Sequence, residues 1–98
     1  MTHITVSCAD GAWRFRARGH AAGAPAVCAG VSALLEALAG WLRNGPAGVT
    51  CRRCVLAYGE ADIVFSGGPE AAAAADLTAL GLARIAKAAP GAAAFTVQ

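Results

Sequence analysis

Charge is the first thing this sequence has little of. Eight basic and six acidic residues make up 14% of the 98 and leave a net of +2, without a concentrated basic stripe. The usual charged share is ~25%, and a dedicated nucleic-acid binder carries a strong basic patch. No direct nucleic-acid contact is therefore expected. Aromatic residues are also few: Trp13, Phe15, Trp41, Tyr58, Phe65 and Phe95 are the whole set. Histidine occurs only as His3 and His20, which narrows the candidates for proton transfer near neutral pH. The uncharged stretch Gly19 to Leu35 is mostly Ala and Gly with His20 and Pro25 inside it, a composition that would not hold a span in hydrocarbon, so no membrane is expected. Met1 to Ser7 lacks the basic head and apolar run of a signal peptide. The expected location is cytoplasmic, where Cys8, Cys28, Cys51 and Cys54 stay reduced.

What the sequence has in excess is alanine, 27 of 98 residues. Each buries little more than a methyl, worth ~0.8 kcal/mol at best. The 57% hydrophobic share therefore overstates the core. A chain this short buries only about 60–65% of its unfolded surface. Residues 1–98 read as one domain with a thin core, for which a second subunit would be a natural support. Trp, Phe, Leu and Val are nonetheless too well represented for disorder.

Periodicity gives the order of elements. Ile4, Val6 and Cys8 alternate with polar neighbours, Asp10-Gly11 turns, and Trp13, Phe15 and Ala17 alternate with Arg14, Arg16 and Arg18, so the first unit is a hairpin. The three arginines share one strand face, read as solvated. A Gly, Ala and Pro loop follows. Val27, Val31, Leu34, Leu35, Leu38, Trp41 and Leu42 then recur at helical spacing, which predicts a helix over Ala26–Arg43 closed by Asn44-Gly45-Pro46. Val49 to Tyr58, a Gly59-Glu60 turn and Ala61 to Ser66 form a second hairpin. Gly67-Gly68-Pro69 opens a second helix, whose apolar side is expected from Leu77, Leu80, Leu82 and Ile85. Pro90-Gly91 ends it, and Phe95 to Val97 is a last strand. The order ββαββαβ predicts an α+β domain, a small two-layer structure with two helices on a mostly antiparallel sheet.

Two residues stand out chemically. Cys28 falls in the first turn of the first helix, where unpaired N–H groups and the dipole favour an anion. The dipole alone contributes ~0.3–1 kcal/mol, so a reactive sulfur needs a further cation, for which an imidazolium is the usual choice. His20 lies across the loop Ala21 to Val27, with Gly19 and Gly23 permitting the chain to fold back. From the residues alone, Cys28 reads more readily as a packed small hydrophobe among alanines and valines than as a nucleophile. Cys51-Arg52-Arg53-Cys54 supplies only two of the four ligands a structural zinc takes, and residues three apart on a continuous strand face opposite ways. Plain core or surface thiols are the first expectation there, zinc or redox roles are the alternatives, and no metal site is assigned. His3 reads as an exposed, idle residue, and Glu60 and Asp62 as part of a turn.

The run Gly19 to Leu34, GHAAGAPAVCAGVSAL, resembles the signature of the ribosomal-processing cysteine proteases called Prp. Gly19, His20 and Ala21 match the family's strand end; Val27, Cys28, Ala29, Val31, Ser32, Ala33 and Leu34 match its helix start. Gly81 to Ala86 with Ala89-Pro90 resembles its closing helix, so the resemblance covers nearly the whole chain. It implies a cysteine endopeptidase with Cys28 as nucleophile and His20 as base and then acid, with no cofactor. It implies as substrate the N-terminal extension of a bacterial large-subunit ribosomal protein, cut after an aromatic-rich segment, and as assembly a homodimer. Gly19 and Ser32 are carried over as supporting positions; for Ser32 a hydroxyl back-bonded to the helix is the alternative. Two departures accompany the match. The loop between His20 and Cys28 is shorter than the family's, and Pro25 stands where the family has Asp. They motivate a second reading, a non-catalytic ribosome-associated binding or assembly module of the same fold.

Overall fold

In the computed structural model, which describes residues 1–98, the alternating segments assemble into one five-stranded sheet with two helices on one face. The elements are β1 (Thr2–Ala9), β2 (Ala12–Arg18), α1 (Pro25–Arg43), β3 (Val49–Ala57), β4 (Glu60–Gly67), α2 (Pro69–Ala88) and β5 (Ala93–Val97). The spatial order is β3-β4-β2-β1-β5, antiparallel except for the parallel pair β1–β5. This is the α+β architecture and element order expected from periodicity.

Period-two alternation decides the two faces. Ile4 and Val6, Phe15 and Ala17, and Ala61, Ile63 and Phe65 point under the helices and are buried. They meet Val31, Leu35, Leu38, Ala39 and Leu42 of α1 and Ala71, Ala75 and Leu82 of α2 in a single core. By length and composition α1 could cross a bilayer, over a window later than the stretch weighed above; its apolar stripe is instead spent on this core. Asp10 and Gly11 both take positive φ, 53° and 74°, the two-residue hairpin turn that Asp-Gly favours.

Three sequence expectations change. Leu77 and Leu80 do not face the core: they are 72% and 53% exposed, and the buried stripe of α2 is Ala71, Ala75, Thr78, Leu82 and Ala86. Small residues win that face because α2 lies close against both the sheet and α1. A Cβ placed on Gly81 would come within 2.8 Å of Leu34, and one on Gly30 within 3.1 Å of Ile85. Arg14 is not a free solvated charge. Its guanidinium donates to both oxygens of Asp62, at 2.9 and 2.8 Å, and Arg53 adds a third bond at 3.0 Å. Asp62 is thus a buried carboxylate on the open face of β4, not a turn residue. Finally, β3 is not continuous. Its register against β4 slips between Cys51 and Arg53, so Cys51 pairs with Phe65 and Cys54 with Ile63, and both cysteines take the same face.

Candidate active site

The site forms where β2 ends, α1 begins and the β3–β4 hairpin turns. Gly19 is dictated by backbone geometry: φ is +88°, and a Cβ there would lie 2.5 Å from the Met1 carbonyl oxygen. Its N–H donates to the Gly59 carbonyl at 2.9 Å, tying the end of β2 to the neighbouring hairpin. The chain then reverses through Ala21 and Ala24, with the Ala24 N–H donating to the Ala21 carbonyl at 2.9 Å, and enters α1 at Pro25. Proline suits this first position because its missing N–H would be unpaired in any case. The short loop thus brings the residue after His20 against Cys28.

Cys28 is half-buried. The Ala21 N–H donates to its sulfur at 3.3 Å, and the thiol donates weakly to the Ala21 carbonyl at 3.8 Å. His20 is exposed and its ring lies against Tyr58, centroids 4.1 Å apart and tilted by 34°. Gly59 makes room for it: a Cβ at that position would stand 2.6 Å from His20 Nε2. His20 and Cys28 both line one cleft of about 740 Å³, together with Gly19, Ser32, Leu35, Leu56 and Tyr58. The structure therefore gathers all four sequence-selected residues, Gly19, His20, Cys28 and Ser32, at one opening. The sulfur's hydrogen bonds go to Ala21, while the imidazole is held by Tyr58.

Ser32 is exposed one turn after Cys28. Its hydroxyl forms no back-bond to the helix, in contrast to Thr78, which donates to the Ala74 carbonyl at 2.7 Å. The helix N-terminus offers less than the sequence suggests. The Val27 and Cys28 N–H groups are already engaged by the Ala24 carbonyl, at 3.1 and 3.3 Å, and Pro25 has none, which leaves Ala26 with the one unpaired N–H of the first turn. The donor aimed at the Cys28 sulfur is the Ala21 amide, from the loop. Neither this amide nor Tyr58 is among the residues that the sequence singles out. The hairpin turn is Tyr58-Gly59, one residue earlier than expected, because Ala57 pairs with Glu60. An aromatic beside a glycine between two β-prone runs was the available signal. No group of three or more His, Cys, Asp or Glu side chains gathers anywhere in the chain.

No protein-family model matches the sequence, and no curated protein matches it as a relative. Solved structures do match it: the fold is that of a ribosomal processing protease. S. aureus Prp, described as an essential ribosomal processing protease, superposes with a TM-score of 0.79 at 18% identity in a complex with a covalently linked product peptide. Its complex with a substrate peptide gives 0.77 at 16%, and both comparisons cover 100% of each chain. SMU.848 from Streptococcus mutans matches with 0.77 at 20% identity, covering 100% of this chain and 94% of that one. At these identities the likeness is one of fold.

Proposed function

We propose that the chain is a cysteine endopeptidase that removes the N-terminal extension of a large-subunit ribosomal protein, working as a cytoplasmic homodimer. The observation that carries this reading is the convergence of His20 and Cys28 on one cleft, with the Ala21 N–H 3.3 Å from the sulfur. Chemistry follows from those groups. An extended peptide enters the cleft between α1 and the β3–β4 hairpin, its apolar segment over Leu35 and Leu56. The His20 ring swings from Tyr58 toward the sulfur and takes the thiol proton. The thiolate attacks the scissile carbonyl, and the Ala21 amide, released from the sulfur, donates to the developing oxyanion. His20 then returns its proton to the leaving amine, and water hydrolyses the thioester. No step needs a metal or cofactor.

A second reading, a binding or assembly module of this fold, is favoured by one observation: the sulfur is hydrogen-bonded to Ala21 while His20 rests on Tyr58. Alkylation separates the two. If His20 activates Cys28, iodoacetamide labelling of Cys28 at neutral pH slows at least tenfold in His20→Ala. Equal rates in the two proteins would support the module and contradict the peptidase.

A further inference from the structure

The Cys51-Arg52-Arg53-Cys54 motif takes no part in the cleft, yet the fold gives it a geometry that the sequence does not. Three residues along a regular strand cover about 10 Å and end on opposite faces, beyond the ~7 Å Cα limit of a disulfide. The bulge in β3 removes the second obstacle and reduces the first, leaving the strand to kink further at Arg52-Arg53 as a bridge closes. Two residues there take the span of one, which draws the pair in to roughly 6.7 Å, and the register against Phe65 and Ile63 puts both cysteines on one face. The Cys51 thiol also leans along the strand toward its partner, donating to the Arg53 carbonyl at 3.7 Å. Its ordinary titration is pushed up, first by partial burial of the sulfur and then by the Cys54 thiol beside it, so its attack runs on a small thiolate fraction at neutral pH and quickens in mild alkali. Because β3 is an edge strand and Cys51 is exposed, a small reagent reaches Cys51 directly, with the half-buried Cys54 behind it.

We propose that Cys51 and Cys54 form a redox-active dithiol that closes to an intramolecular disulfide by exchange with a low-molecular-weight disulfide. The Cys51 thiol loses its proton to solvent and attacks one sulfur of the reagent. The reagent's S–S bond breaks, and the first small thiolate leaves and takes up a proton. Cys54, deprotonated in turn, attacks the mixed disulfide at Cys51, which forms the Cys51–Cys54 bond and releases the second small thiol. The two protein thiols are oxidised by two electrons, and the reagent is reduced to two thiols. A bridge at the long end of the allowed span is strained and easily reduced, the behaviour of a reversible bridge and not of a permanent staple. The inference stands independently of the peptidase reading.

Trypsin supplies the test, since it cuts after Arg52 and after Arg53 and leaves the two cysteines on separate peptides. The intact chain is incubated with oxidised glutathione, quenched with N-ethylmaleimide, digested without reductant and weighed. The expected product joins the Cys51 peptide to the Cys54 peptide with the loss of two hydrogens, and dithiothreitol separates them. In Cys54→Ser the same treatment should leave glutathione on Cys51, because no resolving thiol is present. Cys51 and Cys54 each blocked separately in the wild type, or Cys51 linked to Cys8, Cys28 or another chain, would overturn the proposal.

Discussion

At the residue scale, Tyr58 is the side chain whose position most needs a reason. It is 94% exposed, so burial gains it nothing, yet its ring covers the His20 imidazole at the mouth of the cleft. An exposed aromatic there offers a stacking surface to a peptide aromatic, an interaction worth about 0.5–1.5 kcal/mol. In a peptide-cleavage assay Tyr58→Ala should raise KM about tenfold with little change in kcat, and Tyr58→Phe should restore it. A loss confined to kcat would place Tyr58 in another role. Asp62 allows a separate test, of stability. Arg14 above all, and then Arg53, hold its carboxyl below the ordinary range, against the upward push of burial. The folded-state value is thus lower than the unfolded one. The stabilisation is complete above about pH 4 and is lost as pH falls through the lowered folded-state value. Asp62→Asn should therefore melt lower than wild type at neutral pH, by about 1–3 kcal/mol in unfolding free energy. That gap should narrow on acidification; a constant gap would show that the ion pair is not its cause. Gly19, His20, Cys28 and Ser32 are singled out by the resemblance of Gly19 to Leu34 to the Prp signature, and the short loop is what sets them around one cleft. Tyr58 and the Asp62 pairings are not legible in the sequence, because His20–Tyr58 and Arg14–Asp62 join residues far apart in the chain and Arg53–Asp62 depends on the bulged register of β3, which composition does not reveal.

At the scale of elements, periodicity located every strand and helix but misassigned one face. Of the bulky residues expected to face the core from α2, Leu82 is buried there and Ile85 packs against that core, but Leu77 and Leu80 give way to alanines where the helix approaches β4 and α1 closely. The consequence can be measured. Leu82 is fully buried, and Leu82→Ala should destabilise by about 2–5 kcal/mol in urea unfolding. Leu77→Ala should change stability by less than about 0.5 kcal/mol. Comparable losses at both positions would contradict this placement of α2. The bulge in β3 was hidden for a related reason. A two-fold alternation assumes an unbroken ladder, and nothing in Thr50 to Val55 marks the extra residue that turns Cys51 and Cys54 to one side.

At the scale of the molecule, the alanine excess explains both the thin core and the plainness of the surface. Only 21 of 98 residues are buried, while Leu77 and Leu80 stand exposed on α2. A homodimer would add burial that one chain lacks, so sedimentation equilibrium at micromolar concentration should return twice the chain mass; a monomer would contradict that part of the proposal. The fold itself fixes the cleft. It sets the end of β2, the start of α1 and the tip of the β3–β4 hairpin around one opening and brings the His20–Ala21 segment onto the Cys28 sulfur. The most direct test is mass spectrometry of a ribosomal-protein peptide carrying its aromatic-rich N-terminal extension, incubated with the wild type and with Cys28→Ala and His20→Ala. The account predicts a single cut after the aromatic segment by the wild type and none by either variant. An intact peptide with the wild type, or equal cleavage by the variants, would contradict it.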